Sequence, residues 1–179
     1  MWEFIKSDLY RYEGCFTWAF FFRNFLFNPS FKFTFFLRWC NSQNLIVAKL
    51  SRLFHYHYSI KYALKIHHST KIGYGFYIGH GTGVVINSSA IIGNNVSISQ
   101  FTSIGSSKGK AATIGDCVYI GPNVSIVENV EIGNYCTIGA GSVLVKNIPD
   151  NSTAVGVPAK VINKDSNGQF IVYKWNASK

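Results

Sequence analysis

The chain has 179 residues, enough for one domain whose core needs no disulfide or metal staple. Hydrophobic residues at 47% against 14% charged exclude a disordered, solvating chain. The formal charge of +9 points to anionic partners: nucleic acid, a phosphate-bearing small molecule or an acidic membrane surface.

The averages conceal two regimes. Of 29 aromatic residues, 20 fall within positions 1–62, and no Asp or Glu occurs between Glu13 and Asp116. The first residues, Met-Trp-Glu-Phe-Ile-Lys-Ser-Asp, lack the basic-then-apolar order of a secretory leader, so a cytoplasmic protein is expected. The apolar run Phe16–Trp39 is broken by Arg23, Pro29 and Lys32, and its uncharged piece Gly14–Phe22 is far short of the roughly 20 residues a membrane span needs. Helical spacing over Phe16–Phe27 and Asn44–Phe54 predicts an N-terminal helical region, residues 1–64, capping whatever follows. Cys15, Cys40, Cys117 and Cys136 lie far apart and read as free thiols.

From residue 66 an aliphatic recurs: Ile66, Ile72, Ile78, Ile86, Ile92, Ile98, Ile104, Ile114, Ile120, Ile126, Ile132, Ile138, Leu144. Ten of the twelve steps are six residues long; the exceptions are an eight (Ile78 to Ile86) and a ten (Ile104 to Ile114). No helix has this period. A six-residue unit suits a two-residue strand with one inward aliphatic and a tight corner, and such units bury nothing until they stack into a solenoid. The fifth place of most units is small or β-branched, Thr70, Thr82, Val96, Thr102, Val118 and Ser142 among them. Asparagines at 87, 95, 123, 151 and 176 begin Asn-x-Ser/Thr triplets, but in a cytoplasmic chain they read as corner residues that tolerate left-handed backbone. The eight-residue step implies a two-residue bulge, and the ten-residue step a loop, 106–113, standing out from one coil.

The repeat resembles the hexapeptide-repeat acyltransferases, which implies a left-handed parallel β-helix with three units per coil over residues 65–163, followed by a tail, 164–179. With three units per coil, Ile78, Ile98, Ile120 and Ile138 stack. The places two residues on, His80, Gln100, Pro122 and Ala140, then form a column flanked by Gly121 and Gly139. The closest likeness is to the serine acetyltransferases and their surface-polysaccharide relatives, carried by Ile78-Gly-His-Gly-Thr-Gly-Val-Val-Ile86, Ile92-Gly-Asn-Asn-Val-Ser-Ile98, Ile138-Gly-Ala-Gly-Ser-Val143 and Ala154-Val-Gly-Val-Pro-Ala-Lys160, and more weakly by Phe31 with Arg38.

The resemblance implies that His80 is the catalytic base and that acetyl-coenzyme A is the co-substrate; no metal is expected, because His68 and His80 fall on different faces of the coil and the solenoid offers no third His at hand. A neutral imidazole suits the abstraction of a hydroxyl proton. It also implies a cofactor groove along Gly121, Pro122, Gly139 and Ala140, with Gly105, Ser106, Lys108, Lys110 and Lys160 reaching its phosphates, and a homotrimer with sites between subunits. The chain departs from the serine enzymes at three places. Lys65 stands where the family has the Asp that pairs with its His, Gly79 where an acid faces the serine amino group, and Ala111 where a second His faces the substrate. The expected acceptor is therefore a carbohydrate hydroxyl of a bacterial surface polysaccharide, with Gln100 and an overarching Asp8 as acceptor-side residues. Serine O-acetylation and a non-catalytic binding module are the alternatives. The spread of basic residues and the missing motifs argue against nucleic acid. The basic aromatic cap, nine Lys and Arg against three acids through Lys65, is expected to pack as core and to touch the inner face of a membrane.

Overall fold

Four helices precede the repeats in the computed structural model, which describes residues 1–176: α1 (Trp2–Glu13), α2 (Trp18–Phe27), α3 (Pro29–Trp39) and α4 (Leu45–Tyr62). Local chemistry sets their ends. The Thr17 hydroxyl accepts the Phe20 N–H, Asn28 the Phe31 N–H, and Asn44 the N–H groups of Ile46 and Val47, each meeting donors a helix start leaves unpaired. Pro29, a breaker for α2, opens α3, where its fixed φ and missing N–H cost nothing. The aromatic cap has a core of its own, Ile5, Leu9, Phe21 and Phe31 ringed by Trp2, Tyr12, Phe16, Phe25 and Phe35. It leaves Trp18 and Phe27 exposed (59% and 80%), and no described helix is long and apolar enough to cross a membrane.

Thirteen two-residue strands follow, β1 (Lys65–Ile66) to β13 (Val143–Leu144), and wind through three parallel sheets. The first stacks β1, β4 (Val85–Ile86), β7 (Ser103–Ile104), β10 (Ser125–Ile126) and β13; the second stacks β2 (Lys71–Ile72), β5 (Ile91–Ile92), β8 (Thr113–Ile114) and β11 (Glu131–Ile132). The third stacks β3 (Tyr77–Ile78), β6 (Ser97–Ile98), β9 (Tyr119–Ile120) and β12 (Thr137–Ile138), and closes with an antiparallel pair, β14 (Thr153–Gly156) and β15 (Ala159–Asn163). The expected solenoid is thus present, and every aliphatic of the repeat except the half-buried Ile72 is buried in one continuous core. Left-handed corners fall at Asn95, Asn123 and Asn151 as expected, whereas Asn87 and Asn176 are not among them. All four cysteines are free.

One buried ion pair seats the cap. Arg38 Nε donates to Asp8 Oδ2 at 2.8 Å and Arg38 Nη2 to Oδ1 at 3.0 Å. Two further Arg38 N–H groups reach the carbonyls of Ile72 (2.8 Å) and Gly73 (2.7 Å), and Asp8 Oδ1 also accepts the Phe76 N–H. Burial pushes the Asp8 carboxyl above its ordinary range, while Arg38 and the Phe76 N–H pull against it. One residue before, Ser7 Oγ accepts the Gly75 N–H at 2.9 Å. Removing one member of such a pair strands the other in a dry site. Arg38→Met is expected to cost about 3–5 kcal/mol of folding free energy. Chemical denaturation measures it, and a loss under about 1 kcal/mol would mean that other contacts hold the cap.

Candidate active site

The eight-residue step between Ile78 and Ile86 builds the site. Gly79 N donates to Ile98 O, so Gly79 lies over Ser99; Phe101 N donates to Thr82 O, so Thr82, not His80, lies over Gln100. His80 and Gly81 are the two inserted residues. They leave the column that continues through Gln100, Pro122 and Ala140, and the inward place passes from the exposed Thr82 to the fully buried Val84. The expected stack headed by His80 is therefore corrected: the insertion pushes His80 out to an exposed corner with left-handed backbone, φ 54°.

Helix α3 holds this corner. Ser30 Oγ accepts the Gly81 N–H at 3.0 Å, and a Cβ on Gly81 would collide with that hydroxyl. Ser30 was invisible to sequence reasoning because it acts through a backbone amide 51 positions on.

His80 sits at the rim of a cleft of about 410 Å³. Its floor is the outer face of the third sheet, where Tyr77, Ser97 and Tyr119 are in register, with Gly79 and Ser99 beyond them. Arg11 and Tyr12 of α1 form one wall. Phe170, Val172 and Tyr173 of the tail form the other. The tail runs back beside the third sheet to α1. Phe170 lies 5.0 Å from the Tyr119 ring, Ile171 is buried, and the Trp175 backbone is clamped in both directions by the Asn95 side chain at 2.7 and 3.0 Å. Tyr12 donates to Ile78 O, and burial drives its phenol far above the ordinary range, so it stays neutral. Among the described residues, no carboxylate lines the cleft. A trace of this wall was present in the sequence: the residues preceding the inward isoleucines of the third sheet, Tyr77, Ser97, Tyr119 and Thr137, point outward and include no charge.

The other expected site residues are dispersed. Asp8 is consumed by Arg38 and does not reach over the cleft, and Gln100 does not line it. Gly121, Pro122, Gly139 and Ala140 continue the corner below, where a Cβ on Gly121 would meet the Ala140 backbone at 2.9 Å. Lys160 is exposed in β15, paired to Val155. Gly105, Ser106, Lys108 and Lys110 belong to the corner between the first and second sheets, one corner away from His80 in the same chain. Gly105 and Ser106 there line a separate groove of about 710 Å³ beneath α4, together with Lys65, His67 and His68. In that region His55 packs 4.9 Å from Phe33, and burial lowers its imidazole to about 4.

Loop backbone that could have met phosphate is already occupied. Glu128 Oε2 accepts the N–H groups of Ser107, Lys108 and Gly109 at 2.9–3.0 Å and the Ser106 hydroxyl at 3.1 Å. These donors, Lys108 N–H first, pull the carboxyl from 4.5 down to about 2. The lysines are thereby presented on a pinned loop.

Two outcomes follow for this geometry. Gly81→Ala, by displacing the corner from Ser30, is expected to lower kcat at least about tenfold with the fold intact by circular dichroism; unchanged kcat would mean that Ser30 does not position His80. Because the Glu128 carboxyl is depressed in the folded state, its anchoring is present above pH 4.5 and lost only as pH falls through about 2. Glu128→Gln should then render 106–110 sensitive to limited proteolysis at neutral pH while the parent loop resists, and equal resistance would refute the pinning.

Comparison with known proteins agrees with the fold. A profile described as bacterial transferase hexapeptide (six repeats) matches residues 111–146. The structure of Neisseria gonorrhoeae serine acetyltransferase in complex with serine superposes with a TM-score of 0.74 at 33% identity, covering 88% of this chain and 67% of that one. A serine acetyltransferase in complex with CoA gives 0.74 at 27% identity over 88% and 68%. Among curated sequences, a Buchnera aphidicola serine acetyltransferase is 42% identical over 43 residues, 24% of this chain and only 16% of its own length. The chain belongs to the hexapeptide-repeat acyltransferases of the serine acetyltransferase family.

Proposed function

We propose that this chain is an acetyl-coenzyme A-dependent O-acetyltransferase with His80 as general base. The observation that carries the reading is an exposed imidazole on a helix-braced two-residue insertion, at the rim of a cleft and at the head of a smooth Gly/Pro/Ala corner. The imidazole accepts the acceptor's hydroxyl proton as its oxygen attacks the thioester carbonyl. The new C–O bond forms, the C–S bond breaks, and the departing thiolate takes the proton back from the imidazolium. A direct transfer of this kind gives the cysteines no task.

The relatives favour L-serine as acceptor, and it takes precedence over the carbohydrate hydroxyl expected from the sequence. A sugar hydroxyl is kept as the second reading on one observation: the cleft has aromatic walls and, among the described residues, no carboxylate to receive an ammonium group. The residue departures at Lys65, Gly79 and Ala111 point the same way. Lys108 and Lys110 lie one corner away from His80, which supports a homotrimer in which a neighbouring copy brings them to the cofactor phosphates. A cytoplasmic location is part of this reading, and exposed Trp18 and Phe27 support a contact of α2 with a membrane surface.

Coenzyme A release with L-serine and with a panel of sugars separates the two acceptors. His80→Ala is expected to lower turnover by about 10²–10⁴-fold, and undiminished turnover would remove His80 from the mechanism. Failure of acetyl-coenzyme A to raise the melting temperature would instead leave a binding module.

A further inference from the structure

We propose that the outer face of the helical cap docks on a lipid bilayer with acidic headgroups, with α4 lying in the interfacial plane. The inference rests on the membrane contact given above for α2 and extends it to a second helix; it does not depend on which acceptor is acetylated. A second apolar stripe on α4 carries it. The inner side of the helix, Ala48, Ser51 and His55, is buried in the chain. On the opposite side Ile46, Leu50, Leu53 and Ile60 are 53–72% exposed. Their spacing of four, three and seven places all four on one line of the helix. This stripe continues onto α2, where Phe22, Leu26 and Phe27 are also exposed. Aromatic rings bridge the two helices across α3, with Phe36 lying 6.0 Å from Phe25 and 4.9 Å from Phe54.

Charge decides the occupant. From Trp18 to Tyr62 the chain has six Lys and Arg and no Asp or Glu. Arg23 and Arg38 are paired with Glu13 and Asp8. Lys49, Arg52 and Lys61, all exposed on α4, have no carboxylate partner among the described residues. A second copy meeting this face across a two-fold axis would set the same cations against each other, with no acid to receive them. Acidic lipid supplies the counter-charges and, beneath them, an apolar phase for the stripe. Because no described helix is long and apolar enough to cross a membrane, α4 lies on the bilayer, its Lys and Arg heads at the headgroups.

The test is co-sedimentation of the full chain with vesicles of phosphatidylcholine alone, or of an equal mixture with phosphatidylglycerol. The acidic vesicles should bind at least about tenfold more protein, each cation at the surface adding about fivefold. High salt should remove most of that difference. Lys49→Gln with Lys61→Gln should bring the two kinds of vesicle towards equality. Leu50→Asp with Leu53→Asp should lower binding to acidic vesicles at least about tenfold. Both pairs are exposed, so circular dichroism should stay that of the parent. Equal binding of the parent to both kinds of vesicle overturns the proposal without any variant. Binding that survives both α4 variants also overturns it. If Trp18→Asp with Phe27→Asp abolishes binding and the α4 variants do not, the contact of α2 stands and the role of α4 falls. Binding to neither vesicle removes both, while coenzyme A release, assayed without lipid, judges the acetyltransferase reading separately. A lower sedimentation mass for Leu50→Asp with Leu53→Asp in solution would make this face a contact between copies and overturn the proposal.

Discussion

The buried Asp8–Arg38 fork is the constraint on which the rest of the molecule hangs. A solenoid of two-residue strands has a core one residue wide per face, and its first coil must be covered. The fork joins α1 to α3, and Arg38 donates two further N–H groups to the Ile72 and Gly73 carbonyls of that coil. With two charges out of water, the geometry has little freedom, since any slippage of the helices would leave one of them unpaired. Once α1 is placed, Arg11 and Tyr12 follow one and one-quarter turns or less along the same helix and become a wall of the cleft. Once α3 is placed, Ser30 at its start meets Gly81 and sets the corner that carries His80.

The corner that carries His80 is thus assembled from three distant sources. The insertion supplies an imidazole outside the regular column. The cap supplies the brace and a guanidinium. The tail supplies the opposite wall and is held by reciprocal hydrogen bonds between Asn95 and the Trp175 backbone. The electrostatic character of the cleft comes from what is missing. Asp8, committed to Arg38 inside the cap, and Glu128, committed to its loop, do not line the cleft. The overall likeness to serine acetyltransferases stays strong.

How much of this was legible depended on whether a feature was local. Ile66 to Leu144 marks the coils in the sequence because each coil must point aliphatics into the same narrow core. The corner asparagines at 95, 123 and 151 were legible for a similar reason, since left-handed backbone is a single-residue demand. The aromatic excess of residues 1–62 announced a separate core, and the cap has one. By contrast, the spacing from Ile78 to Ile86 reveals two extra residues without revealing which two, and the column runs through Thr82, not His80. Asp8 looked free because its partner stands 30 positions away.

Sequence alone determined the solenoid, since it follows from a six-residue periodicity, and the family resemblance of its short motifs implied three units per coil. The tertiary structure alone decided what surrounds His80. Arg11, Ser30, Tyr119 and Phe170 carry no motif, and they meet at the third sheet only because a helix, a fork and a returning tail bring them there. Contacts between elements far apart in the chain depend on how whole surfaces fit, and no local pattern of residues encodes that fit.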